Sequence, residues 1–347
     1  MTDRTDGAAY FRTFAGFARN GGSPLYERLA LAAADDPEML ALATQVRSGQ
    51  PQANTLLAAV HLLLLKGEQH PLGAYFPSCG GTRKANEGDP YSVFCDFVAQ
   101  YRAALIPILT TRVTNTNDVG RSALIYPALD IIARETEQPL SLVEIGPSAG
   151  LNLNWYRYGY HYINEVGEPP IERNLGAGLI LASQLKGAKR PSLSAELPAV
   201  AAAIGLELNP VDLTSAEERL WLRALIWPER LDRMARFDAA LEIARNHLPR
   251  IVEGRAERDL ETAMKDLPSG PLCIIHTHVL YQFDAAAKAA FESALDAVAK
   301  SRPLYRLSVE LDGHDYPIQL SRSERGAREV RRLAHCDPHG AWIEWLW

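Results

Sequence analysis

Cysteine is scarce and scattered. The four in 347 residues, Cys79, Cys95, Cys273 and Cys336, form no C-x-x-C pair, so neither a zinc knuckle nor a redox couple is written into the chain. Free thiols in a reducing compartment are expected. A basic excess is missing too: 36 Lys and Arg stand against 42 Asp and Glu, a net charge of -6. Proteins that work on phosphate backbones carry the opposite bias, so nucleic acid is not an expected partner. No apolar run approaches the roughly 20 residues of a bilayer span, and the longest, Leu56–Leu65, contains His61. Met1–Gly7 is polar, without the basic-then-apolar pattern of a secretory leader. The expectation is a cytoplasmic protein with no membrane partner. With 47% apolar residues, the chain suits two domains, or one large α/β domain with an added subdomain.

Up to about residue 136 the pattern is helical. Tyr10, Phe11, Phe14, Phe17 and Ala18 recur at helical spacing, and Ser23-Pro24, Asp36-Pro37 and Asp89-Pro90 each put a capping side chain before a proline. Gly67 reads as the C-cap of the leucine-rich run. After Pro139, short apolar runs alternate with helical stretches. Strands are expected at 141–145, 206–208, 250–252, 272–276 and 304–310, and Ser215 to Glu218 forms a capping box. Such alternation predicts an α/β fold with a mostly parallel, doubly wound sheet. Residues 329–335 and 342–346 flank Cys336-Asp337-Pro338-His339-Gly340, which reads as a closing antiparallel hairpin. The expected division is a helical subdomain, 1–136, covering the mouth of an α/β domain, 137–347.

The segment Leu142 to Asn152 carries most of the chemistry. An apolar strand ends in Glu144 and Ile145, then turns through Gly146-Pro147-Ser148-Ala149-Gly150 into a predicted helix. Ligands of open α/β sheets bind at the carboxyl ends of strands, where glycine lets backbone approach closely. The spacing is neither the G-x-G-x-x-G of dinucleotide folds nor a P-loop, since Leu151 and Asn152 stand where Lys and Ser/Thr belong.

The arrangement resembles the first motif of class I S-adenosylmethionine-dependent methyltransferases. That resemblance implies a Rossmann-like fold with S-adenosylmethionine as cofactor, its methionine and ribose portions held by Glu144 and the turn Gly146, Pro147, Ser148, Ala149 and Gly150. Gly205-Leu206-Glu207-Leu208-Asn209-Pro210 resembles the second strand of that fold, and its acid, Glu207, is assigned to the ribose hydroxyls. The 57 residues from Gly150 to Glu207 require an insertion at about 156–198, within which Glu165 is the competing acid. Arg255 stands where an acid near the adenine is often found, with Glu257 and Asp259 as substitutes. Over nearly its whole length the chain resembles a bacterial family known as domain of unknown function 2332. The residues carrying this are Thr116–Ser122, Glu144–Asn154, Gly205–Asp212, Trp227-Pro228-Glu229 and His339–Trp342.

Other residues join the site as candidates. Asn117, Asp118 and Arg121 precede the first strand, as ordinary turn chemistry or as a segment folding over the cofactor, with Arg121 gripping a carboxylate. His276 and His278 stand at a strand end facing the expected substrate, where either is a general-base candidate, with Tyr281 as a third. Their spacing also suits metal ligation alongside Asp312, His314, Asp315, His335 and His339, but the turn-like setting of those residues makes no metal the expectation. Gly146-Pro147-Ser148-Ala149-Gly150 fits G-x-S-x-G as well, so a serine hydrolase using Ser148, then Asp284 or Asp312, then His314 or His335, is the alternative enzyme. A non-catalytic nucleotide-binding or regulatory protein is the alternative outside enzymes. The favoured function is methyl transfer to a small molecule by in-line positioning. His61 is read as a buried, hydrogen-bonded histidine, and the tryptophans as packing residues.

Overall fold

Proline-led helix starts organise the first third of the chain. In the computed structural model, which describes residues 7–164, 167–324 and 326–347, Asp36 accepts hydrogen bonds from the backbone N–H of Glu38 (2.9 Å) and Met39 (3.1 Å), and Asp89 from those of Tyr91 and Ser92. Ser23 behaves differently. Its hydroxyl donates to Glu229, whose other oxygen accepts the N–H of Leu25 at 2.7 Å. A carboxylate some two hundred residues away thus caps that helix. Gly67 (φ +97°) follows the helix Gln52–Leu65, and the N–H of Glu68 returns to the carbonyl of Leu63, a glycine C-cap.

Two units result, and they divide the chain differently from the expected boundary at 136/137. The first comprises Met1–Thr116 with Thr214–Ala235; the second, Asn117–Leu213 with Arg236–Trp347. The helix Ser122–Thr136 belongs to the second unit, because its buried face from Ala123 to Ile132 packs on strands of the sheet. The capping-box helix Ala216–Ala224 belongs to the first, where Trp221 Nε1 donates to the Val113 carbonyl and Trp227 packs edge-on against Phe14. His61 is fully buried there. Its Nδ1 donates to the Ala224 carbonyl (2.9 Å) and Nε2 accepts from Ser78 (2.7 Å), while burial pushes its pKa down to about 4, so the ring is neutral at pH 7.

The strands of the second unit are β1 Leu140–Ile145, β2 Gly159–Asn164, β3 Ile171–Arg173, β4 Ile180–Lys186, β5 Val200–Glu207, β6 Arg250–Glu253, β7 Leu272–Thr277, β8 Leu304–Val309, β9 Pro317–Glu324, β10 Ala327–Cys336 and β11 Trp342–Trp345. Among the described residues no strand precedes β1. They form one sheet in the order β3-β2-β4-β11-β10-β9-β8-β7-β1-β5-β6. The block β6-β5-β1-β7-β8 is parallel throughout. β9, β10 and β11 follow as an antiparallel meander, which contains the expected terminal hairpin as β10 and β11. The sheet is therefore mixed α/β, mostly parallel in its pairings, and larger than the sequence suggested. Residues expected as an insertion at 156–198 supply β2, β3 and β4, and β4 pairs in parallel with β11. β4 alternates exposed and buried residues along its length, as a strand covered on one face does. β1 and β7 are buried at every position, as parallel strands covered on both faces must be. The predicted helix after Gly150 is a short 3-10 turn, Leu151–Arg157.

Chain direction matters for the site. After β1 the chain first lays down β2, β3 and β4 at the far edge of the sheet, comes back to β5 beside β1 and β6 beyond it, and then crosses to the other side of β1 for β7 and β8. The order reverses between β1 and β7, and it is outside the carboxyl ends of strands at such a reversal that open α/β sheets bind ligands.

Candidate active site at the carboxyl ends of β1, β5 and β7

The turn after β1 is built from alternating left-handed residues: Gly146 (φ +62°), Ser148 (φ +57°) and Gly150 (φ +72°). A serine in that conformation costs roughly 1 kcal/mol. The strand next door helps hold it there. Ser148 N–H donates to Glu207 Oε2 at 2.9 Å, and Gly146 N–H to the Leu206 carbonyl at 3.0 Å. On the far side of the turn, Asn117 Oδ1 accepts the Leu151 N–H at 2.9 Å. The glycines also make room for packing. A Cβ on Gly146 would lie 2.5 Å from Val279 Cγ2, one on Gly150 would lie 2.7 Å from Ile251 and 2.8 Å from Pro249, and one on Gly205 would meet Pro147 at 2.5 Å.

Two carboxylates are buried here, Glu144 at 4% exposure and Glu207 at 6%. Glu207 Oε1 accepts the Asn209 N–H, so each of its oxygens carries one backbone bond and keeps a further lone pair. Burial raises the pKa of Glu144 to about 7 against the pull of the Arg121 charge and a hydrogen bond from Asn152, with Glu207 adding repulsion. Asn152 is oriented for that bond by the Ser122 hydroxyl, which donates to its Oδ1 at 2.9 Å.

Arg121 reaches this point through two backbone carbonyls, Thr277 at the end of β7 and Pro338 in the β10–β11 turn, both at 3.3 Å. Its placement beside Glu144 agrees with a site role, though these two contacts are a staple rather than a two-pronged grip on a ligand. The same loop and turn interlock: a Cβ on Gly120 would lie 2.3 Å from the His339 carbonyl oxygen, and one on Gly340 would lie 2.2 Å from that of Gly120. Across this seam Asp118 Oδ2 stands 2.7 Å from His339 Nδ1. The sequence offers Asp118 as turn chemistry or as part of a segment over the cofactor, and His339 as a turn residue or a metal ligand, and it does not pair the two. Only the fold joins them.

The three proposed catalytic residues fare differently. His276 is wholly buried; Arg306 Nε donates to its Nε2 and its Nδ1 donates to Glu310 Oε1, both at 2.8 Å, which leaves no ring nitrogen to act as a base. It is a connector between β7 and β8. His278 has φ +55° and its ring lies 4.7 Å from that of Tyr316; burial and the nearby Arg121 charge push its pKa down to about 3. A ring that resists protonation so strongly is a poor proton acceptor. Tyr281 is 72% exposed on a short 3-10 turn. Glu165 lies outside the described residues. Arg255 pairs with Glu257, and Asp259 accepts the Arg255 N–H and the Arg258 guanidinium, so neither substitute acid is directed to an adenine.

The hydrolase set does not assemble. Ser148 is 1% exposed, Asp284 caps the helix Ala285–Ser301, Asp312 lies 3.7 Å from Arg332, and His335 faces Asp315. Trp227 and Glu229 serve packing and capping in the helical unit. Among the described residues no three His, Cys, Asp or Glu side chains form a metal-binding group, and no single helix is long and apolar enough to cross a membrane.

Asp118, Gly120 and Arg121 thus meet His339 and Gly340 across the sequence. The chain belongs to the family described as uncharacterized protein conserved in bacteria (DUF2332). The match runs over residues 8–345, so a DUF2332 protein comprises both units, the helical one as well as the sheet. No curated protein and no solved structure matches the chain.

Proposed function

We propose that this DUF2332 protein binds S-adenosylmethionine at the carboxyl ends of β1 and β5 and transfers its methyl group to a small molecule. The observation that carries the reading is Glu207, which ends the strand beside β1 and is hydrogen-bonded to the glycine turn beside the reversal of strand order. The five parallel strands, followed by antiparallel β9, support a methyltransferase-like, doubly wound core.

The residues fit one half of the cofactor. The remaining lone pairs of Glu207 suit two adjacent hydroxyls, and Glu144 supplies negative charge in a buried setting. Asn117 and Arg121 steady the turn and the neighbouring strand end. The adenine half finds no acid among Arg255, Glu257 and Asp259, so recognition there rests on other contacts. When bound, the cofactor supplies an electrophilic methyl on a sulfonium; the protein's part is to orient the acceptor and exclude water. The engaged acids on the adenine side favour a second reading, in which the site binds a nucleoside without catalysis.

Calorimetric titration of the whole protein with S-adenosylmethionine and S-adenosylhomocysteine is the test. Binding is expected, and is expected to vanish in Glu207→Ala and Gly146→Arg. Because Glu144 ionises near pH 7, the preference for the charged ligand is expected to grow from pH 6 to pH 8. No heat with either ligand, from protein with a native circular dichroism spectrum, would refute the reading.

A further inference from the structure

Among the described residues four histidines stand within ion-pair distance of a carboxylate, and their burial separates them. His276 is 1% exposed beside a Glu310 at 18%; His161 (31%) and His335 (26%) face carboxylates that are themselves 43% and 60% exposed. Only the fourth, among the described residues, combines a buried acid with an accessible imidazole: Asp118 is 4% exposed and His339 34%. A buried carboxylate that orients an accessible ring is what a general base requires, because the acid fixes the tautomer while the opposite nitrogen meets the substrate. We propose that His339 is the proton-accepting catalytic residue of this site and that Asp118 is the residue positioning it.

The placement supports it. Asp118 Oδ1 accepts the Gly120 N–H at 3.1 Å, and Oδ2 lies at ion-pair distance, 2.7 Å, from His339 Nδ1. The His339 backbone is fixed by Asp337, whose Oδ1 accepts its N–H at 2.9 Å, and by the seam between Gly120 and Gly340. Two loops more than two hundred residues apart are thereby locked, which gives the pair the rigidity a catalytic base needs. Arg121, His278 and Tyr316 stand around it, at the carboxyl end of β7. His278 adopts a left-handed conformation at the end of β7 as Ser148 does after β1, and such strain collects at functional sites.

Resting on the methyl-transfer reading, the inference names the acceptor class: a small molecule with an ionisable hydroxyl or amine. As its oxygen or nitrogen bonds to the methyl carbon, its proton passes to His339 Nε2, and the carbon–sulfur electron pair stays on sulfur.

Ring 15N spectra and carbethoxylation by diethyl pyrocarbonate test it on the full chain. In the wild type the neutral ring of His339 is expected as the Nδ1-protonated tautomer, reacting at least about threefold faster than His161 or His335, whose exposure is similar. Asp118→Asn, which keeps an oxygen for the Gly120 N–H, is expected to lose both the tautomer and the rate advantage. A wild-type ring protonated on Nε2, or equal rates for the three histidines, overturns the assignment. His339→Gln is a second variant, expected to bind S-adenosylhomocysteine within about twofold of wild type; selective loss of that binding would move His339 into the cofactor site and refute its role as base. If neither protein binds the nucleoside, the cofactor reading fails while the spectra and rates still decide the base.

Discussion

Glu144→Gln isolates the electrostatics of the site in a single measurement. Burial raises the Glu144 pKa from 4.5 to about 7, so the folded state resists its ionisation whereas the unfolded chain does not. Below pH 4.5 the carboxyl is protonated in both states and contributes no pH dependence. As pH rises, the unfolded state ionises first and gains, so stability falls until the folded group ionises near 7 and then levels. The rise from 4.5 to about 7 corresponds to about 3 kcal/mol in all, most of which falls between pH 5 and 9. Glutamine keeps the shape and a hydrogen-bonding oxygen for Asn152 and removes the charge. Urea unfolding of wild type and variant from pH 5 to pH 9 is therefore expected to show the variant gaining on the wild type by about 2–3 kcal/mol, with most of the gain below pH 7.5. A difference constant across that range would refute the buried-charge argument, whatever its size. Bound S-adenosylmethionine is expected to reduce the difference, because a cation beside Glu144 stabilises the ionised form.

His61 carries the opposite dependence. Its folded pKa of about 4 lies below the ordinary 6.5, so its contribution is present above pH 6.5 and is lost as pH falls towards 4, by about 3 kcal/mol; His61→Asn should show a shallower acid limb in the same experiment. Gly146→Ala is expected to cost about 2–4 kcal/mol, from the left-handed backbone and the 2.5 Å approach to Val279, and Val279→Ala should recover part of it in a double-mutant cycle. Additive losses would show that the Val279 contact is unimportant. Ser148→Gly relieves the same backbone strain and is expected to change the urea midpoint by the equivalent of about 1 kcal/mol or less, without loss of nucleoside binding. Covalent labelling of Ser148 by a fluorophosphonate would contradict its burial and restore the hydrolase reading.

Local chemistry made much of this protein legible in advance. The helix Ser122–Thr136, the strands at β1, β6, β7 and β8, the caps at Asp36 and Asp89 and the glycine turn after β1 all follow from interactions within a few residues, which a linear pattern records. The buried His61 was readable for the same reason, as a polar residue within a leucine run. Strands β2, β3, β4 and β9 were not, because their hydrogen bonds depend on partners brought by the fold: β4 is held by β11, and β9 by β8 and β10. The return of Thr214–Ala235 to the helical unit rests on contacts such as the Glu229 cap, reached across the chain. The site divides the same way. Sequence supplied Glu144, the turn and Glu207, since an acid and glycines at strand ends are local signals. Only tertiary structure engaged both nitrogens of His276 and joined Asp118 to His339, because burial and pairing between loops two hundred residues apart are properties of a packed chain.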